Sequence, residues 1–175
     1  MREETVTCDF CVVGGGMAGL LAALASARHG AKTVLLHDRP VLGGNASSEI
    51  RMHICGAHGP DRRETGILEE LLLENYARNP TANFSLWDSV LYGAAVTEPN
   101  LTLLLNTTVQ ACAAAEGAIR SVRGWQLTTE TQWTVRAPLF ADCSGDSILA
   151  PLSGARWRIG REARAEYGES IAPGT

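Results

Sequence analysis

The stretch "CDFCVVGGGMAGL", residues 8–20, poses a choice between two chemistries. Cys8 and Cys11 stand as C-x-x-C, a spacing that serves redox chemistry or metal binding in other proteins. Behind them Gly14, Gly16 and Gly19 stand as G-x-G-x-x-G, a spacing that lets a backbone turn approach two linked phosphates. Side chains on a strand alternate between faces, so if residues 8–13 are extended the two thiols point apart. No second C-x-x-C completes a zinc or iron–sulfur set. The cysteines therefore read as structural, and no metal is expected.

The glycines have a supporting context. "CDFCVVGG" (8–15) is an apolar run ending in glycine, which suits a buried parallel strand. "MAGLLAALASARHG" is rich in alanine and leucine and ends at Gly30, a natural helix stop. "KTVLLHD" (32–38) reads as a second buried strand, completing a βαβ unit. In such a unit Gly14 makes the sharp turn, Gly16 removes a side chain that would hold a diphosphate away, and Gly19 lets helix and strand pack closely. The helix N-terminus offers unpaired N–H groups to the phosphates. Asp38 stands at the tip of the second strand, 24 positions past Gly14, where a carboxylate accepts hydrogen bonds from an adenosine ribose.

Farther along, "TGILEELLLENYARNP" predicts a helix capped by Thr65, with Leu68, Leu71, Leu72 and Tyr76 on its inner face. "SLWDSVLYGAAVTEP" predicts another, opened by the capping-box-like pair Ser85 and Asp88. "LTLLL" (101–105) is a third strand, and residues 108–136 read as three β-segments joined by short turns at Glu116-Gly117 and near Glu130. "PLFADCSGD" is a last buried strand ending in glycine, and Trp87, Trp125, Trp133 and Trp157 read as packing residues. The fold class expected is α/β, a Rossmann-like domain with a parallel sheet and an inserted three-stranded β-meander.

Composition narrows the function. The 175 residues suffice for one domain with a sizeable core. A net charge of −4 disfavours a nucleic-acid partner, which demands clustered positive charge. The acidic N-terminus is unlike a signal peptide, and the longest apolar run is too short for a bilayer. Five irregularly spaced cysteines do not suggest a secreted disulfide framework. A cytoplasmic protein is expected, with neither nucleic acid nor membrane as a partner.

The quoted stretches together resemble a known family. "DFCVVGGGMAGLLAALASARHGAKTVLLHDRPVLGGNASSEIR" is similar to the N-terminus of FAD-dependent oxidoreductases of the two-dinucleotide-binding-domain type, and most resembles their heterodisulfide-reductase-subunit-A-like branch. The likeness continues through "WDSVLYGAAVTEPNLTLLLNTTV", "FADCSGDSILAPLSGA" and "RIGREARAEYGES". It implies FAD as cofactor, with Gly14, Gly16 and Gly19 on the diphosphate and Asp38 on the adenosine ribose. Arg39, Gly43, Gly44 and Asn45 would follow the diphosphate and ribityl chain, and the Val109 backbone would meet adenine. Ser144, Gly145 and Asp146 would approach the cofactor from "DCSGD", where Cys143-Ser144 replaces the commoner Ala-Thr. Relatives are longer, so residues 1–175 read as the FAD-binding domain of a larger architecture whose substrate domain is absent here. The closely spaced cysteines of relatives with 4Fe-4S clusters are missing, so no cluster is expected.

Flavin carries its own hydride and electron chemistry, so no catalytic triad is expected. The candidate catalytic groups lie in "EIRMHICGAHG", where Arg51, His53 and Cys55 alternate with Ile50, Met52 and Ile54. If that segment is extended, one face is apolar and the other carries a cation, an imidazole and a thiol; His58 would extend that polar site. The implied partners are a small-molecule substrate and an electron-transfer partner. Two further classes stay open: an NAD-dependent dehydrogenase domain, and a truncated, non-catalytic dinucleotide-binding remnant.

Overall fold

A computed structural model describes residues 2–57, 59–60 and 62–174. His58 lies outside the described residues. The opening strand is β2, Phe10–Val13, preceded by β1, Arg2–Thr7; helix α1, Met17–Arg28, leads to β3, Thr33–Leu36. Two helices follow, α2 (Gly66–Arg78) and α3 (Phe84–Val96), then β4, Leu101–Leu104. Strands β5 (Thr107–Ala115), β6 (Ala118–Gln126) and β7 (Thr131–Arg136) run antiparallel, and β8 (Leu139–Asp142) returns to the first sheet. Two short helices close the chain, α4 at Leu149–Ser153 and α5 at Arg164–Tyr167.

The parallel sheet has the order β4-β3-β2-β8, and the second sheet β1-β7-β6-β5. Two-residue alternation divides the core cleanly. Cys11, Val13, Val34, Leu36 and Leu104 face the second sheet and meet Val109, Val122 and Val135. Val12 and Leu35 face the other way and pack on Leu20 and Leu24 of α1, Leu71 of α2 and Leu91 of α3. The result is three layers, with the central strands β2 and β3 buried on both faces. The edge strand β8, expected to be buried, is partly exposed, because it has a neighbour on one side only.

Several local expectations change. β1 was invisible in an acidic N-terminus, yet it adds to β7 in parallel register, Val6 opposite Val135. Cys8 and Cys11 do not diverge, because Cys8 lies outside β2: the chain corners at Asp9, whose carboxylate accepts the Lys32 N–H at 2.8 Å. Both thiols enter the layer between the sheets, where burial pushes them up from the ordinary cysteine range. Helix α3 is capped by Asn83, which accepts the Ser85 N–H, rather than by Ser85 and Asp88. Tyr76 points outward at 71% exposure, and Trp157 is exposed as well.

Candidate functional site

The site assembles where strand ends of the parallel sheet meet two glycine loops. Gly14 has φ +104, and a Cβ there would sit 2.3 Å from the Cys143 carbonyl oxygen as β8 ends alongside. At Gly19 a Cβ would stand 1.8 Å from the Gly14 oxygen. Gly15, which the motif spacing treats as a free position, is also tight: a Cβ would meet His37 and Leu42 side chains at 2.7 Å. Gly16 is different. Its backbone is ordinary, at φ −62 and ψ 177, and a Cβ on it would meet nothing within 4 Å.

Gly16 also begins α1, with no side chain capping the helix and no acid in its first turn. The first-turn N–H groups there are left for an external acceptor. The second loop closes on the first. Gly43 donates to the Gly15 carbonyl at 2.9 Å and forms a parallel bridge with Gly16, while a Cβ on Gly44 would stand 3.2 Å from the Gly16 Cα. Asn45 is exposed on the short 3₁₀ turn Gly44–Ala46.

Helix α3 holds this second loop. Asp88, 9% exposed, accepts the Ser48 N–H at 2.9 Å, and the buried Trp87 indole donates to the Ala46 carbonyl at 3.1 Å. The helical spacing pointed to packing and capping roles for these residues; their partners lie some forty positions away. Replacing Asp88 with Ala takes the charged acceptor from the partly buried Ser48 N–H and costs about 1–3 kcal/mol. A chemical-denaturation comparison of Asp88→Ala with the wild type measures that loss.

Asp38, Val109 and Ser144 come together around a cavity of about 280 Å³, with Gly14, Thr108 and Asp146 also on its wall. Asp142, absent from the expected set, shapes its rim: one carboxylate oxygen accepts from the Ser144 N–H and Oγ–H, and the other accepts the Leu149 N–H at 2.7 Å. Gly145 sits at φ +85 within that turn. Arg39 is half-exposed and paired with Glu49 at 2.9 Å, with Asp38 and Asp146 also acting on its charge. The structure thus brings Gly14, Gly16, Gly19, Gly43, Gly44 and Asn45 together in the two loops and Asp38, Val109, Ser144 and Asp146 around the cavity, while Arg39 and Gly145 adjoin these in sequence without lining it.

Arg51, His53 and Cys55 behave otherwise. Their segment forms no strand, and the supposed apolar face is broken, with Ile50 at 54% and Met52 at 47% exposure while Ile54 packs against the core. Arg51 has φ +63, and the chain folds back so that Met52 N–H donates to the Asn45 carbonyl at 2.8 Å. Alternation fails because this backbone bonds to the 3₁₀ turn and not to a neighbouring strand. His53 Nε2 and Cys55 Sγ lie 4.0 Å apart, both exposed.

The unnoticed member of the site is His37. It is 5% exposed, and its Nδ1 accepts the Gly15 N–H at 3.0 Å. Its Nε2 lies 3.0 Å from the Val41 carbonyl, so the ring proton is on Nε2. Burial pulls this imidazole below its ordinary 6.5. The signal was in the sequence, since a histidine closing an otherwise apolar strand needs partners for both nitrogens.

This arrangement defines a dinucleotide-binding α/β domain. The chain belongs to the FAD dependent oxidoreductase family, which matches residues 9–175. A fumarate reductase (cytochrome) of Shewanella frigidimarina is 50% identical over 40 residues, 23% of this chain and 7% of that protein. Among solved structures, THI4 of Thermovibrio ammonificans is similar with a TM-score of 0.59 and 17% identity, covering 96% of this chain and 75% of that one. The E. coli quinol fumarate reductase FrdA is similar with a TM-score of 0.58 and 16% identity, covering 82% of this chain and 33% of that one. The chain therefore spans about a third of that FrdA chain's length and much less of the curated relative's. At these identities the structural likeness speaks for the fold. Among the described residues no helix is long and apolar enough to cross a membrane.

Proposed function

We propose that this chain cradles FAD as the cofactor-binding part, residues 1–175, of an oxidoreductase that acts on a small-molecule substrate. The observation that carries the reading is the contrast among the glycines. Gly14, Gly15 and Gly19 are demanded by contacts inside the protein, whereas Gly16 has open space where its Cβ would be. Neither backbone strain nor packing asks for glycine at Gly16, but a diphosphate lying against that turn does.

In this reading the α1 N–H groups and Gly16 hold the diphosphate, with Arg39, Gly43, Gly44 and Asn45 along its path. Asp38 accepts from the adenosine ribose, and Val109 lines the adenine side of the cavity. Ser144, Gly145 and Asp146, ordered by Asp142, meet the cofactor opposite α1. When bound, FAD supplies hydride and electron transfer; the chain supplies position and a field. Arg51, His53 and Cys55 are the groups we assign to the flavin or substrate side, since their segment folds back onto the Asn45 turn. Membership in the heterodisulfide-reductase-subunit-A-like branch, a cytoplasmic location and an electron-transfer partner belong to the same proposal.

A titration of the purified chain with FAD, followed by quenching of flavin fluorescence, tests it. Saturable quenching and a yellow protein that releases FAD on denaturation are expected. A colourless protein stabilised by NADH instead would favour the dehydrogenase class, and one that takes neither would point to a non-binding remnant.

A further inference from the structure

His37 joins two parts of the site that otherwise lie on separate elements. Its backbone is fixed on both sides, donating to the Leu104 carbonyl at 2.9 Å and accepting the Thr107 N–H at 2.8 Å. Its ring stands against the glycine turn, and Nδ1 is the acceptor for Gly15, the residue just before Gly16. The same Nδ1 lies 3.4 Å from a carboxylate oxygen of Asp38. Nδ1 thus has a hydrogen-bond donor, the Gly15 N–H, on one side and an acceptor, the Asp38 carboxylate, on the other.

We propose that His37 is a positioning residue that couples the phosphate-binding turn to the ribose-binding carboxylate, so that protonating its ring loosens the cofactor at both ends. The inference rests on the FAD reading above. In the neutral ring Nδ1 accepts from Gly15 and leaves Asp38 free for a ribose. A solvent proton taken up on Nδ1 turns that nitrogen into a donor. It then faces the Gly15 N–H donor to donor, and the bond holding the turn is lost. The new N–H is drawn to Asp38, whose carboxylate it occupies. One proton therefore removes a support from the diphosphate site and a partner from the ribose site.

The surrounding groups set the direction. Burial opposes the charged ring most, and Arg39 adds to that opposition. Asp38, the Val41 carbonyl and Glu49 favour the charged form but do not overcome burial. The glycine turn against the ring contributes backbone alone. With the folded pKa held below the ordinary 6.5, the native state binds fewer protons than the unfolded chain. The stability His37 contributes is fully present above 6.5 and is lost as pH falls from there through the lower folded value.

FAD affinity of the full chain, measured by fluorescence quenching from about pH 8 to about pH 5, is the first test. The wild-type Kd should be flat at the alkaline end and rise by up to about tenfold per pH unit below the ring's pKa. His37→Asn places an amide oxygen near the Nδ1 position, accepting from Gly15 without titrating. Taken relative to its own value at pH 8, its Kd should lack the acid-side weakening of the wild type. The second test needs no cofactor: the Gly15 amide resonance of the apo protein should shift with the His37 titration. An unmoved Gly15 amide overturns the coupling, as does a wild-type pH profile in His37→Asn. Failure of the wild type to bind FAD at pH 8 would instead defeat the cofactor reading, and the Gly15 amide would still decide the coupling.

Discussion

Gly19→Ala and Gly14→Ala each yield little or no folded protein. At Gly19 the added methyl would stand 1.8 Å from the Gly14 carbonyl oxygen, and at Gly14 it would stand 2.3 Å from the Cys143 carbonyl oxygen. Both obstacles are backbone, and backbone that cannot step aside. Gly14 N–H is bonded to the Leu36 carbonyl at 2.8 Å, and Cys143 N–H to the Val13 carbonyl at 2.7 Å. Relief at either glycine would pull α1 from β2 or β8 from β2. Overpacking a rigid site costs about 1–3 kcal/mol or more, and the left-handed backbone of Gly14 adds about 1–3 kcal/mol. Against a total stability of about 5–15 kcal/mol for a domain, either change takes a large share. Gly30→Ala is the control: its φ of +91 carries strain, but a Cβ there meets nothing within 4 Å. Soluble yield and thermal unfolding of the three variants decide the matter, and a Gly19→Ala protein melting like wild type would refute the packing argument.

The parts of this fold that were legible in the sequence are those governed by short-range rules. The β2–α1–β3 unit could be read because glycine, alanine-rich helix and apolar strand each carry their own signal within a few residues. The Glu116-Gly117 turn could be read for the same reason, and both residues take positive φ, 54 and 74. β1 was hidden because its stability comes from pairing with β7, more than a hundred residues away, and not from its own acidic sequence. The 50–57 segment misled because alternation predicts a strand only where a neighbouring strand exists to pair with. Here Arg51 and Met52 bond back to Ser47 and Asn45 instead.

Within the site the same division holds. Gly14, Gly16 and Gly19 could be named from spacing, and Asp38 from its place at a strand tip. Their supports could not. Asp88 reaches Ser48, Trp87 reaches Ala46, and His37 reaches Gly15, each through a tertiary contact that no local pattern encodes. Spacing also treated Gly15 as a free position, whereas the His37 ring demands a glycine there.

Gly16→Val separates binding from folding. The residue has an extended backbone that a β-branched side chain adopts readily, and the space beside its Cα is open. Removing glycine flexibility from the unfolded chain stabilises by about 0.4–1 kcal/mol where the native conformation is compatible. Valine is a poorer helix N-cap than glycine, which offsets that gain, so the variant's apo melting temperature should stay near that of wild type. Its FAD affinity should fall by about a hundredfold, because the isopropyl group fills the space we assign to the diphosphate and would keep it from the α1 N–H groups. Gly16→Ala should fall between the two. Such a pattern, unchanged stability with lost affinity, is the reverse of that expected for Gly14 and Gly19, so one series distinguishes a phosphate-facing glycine from its structural neighbours. Calorimetry for stability and fluorescence titration for FAD make the comparison. Undiminished FAD binding by Gly16→Val, in a protein whose wild type binds FAD, would place the diphosphate elsewhere.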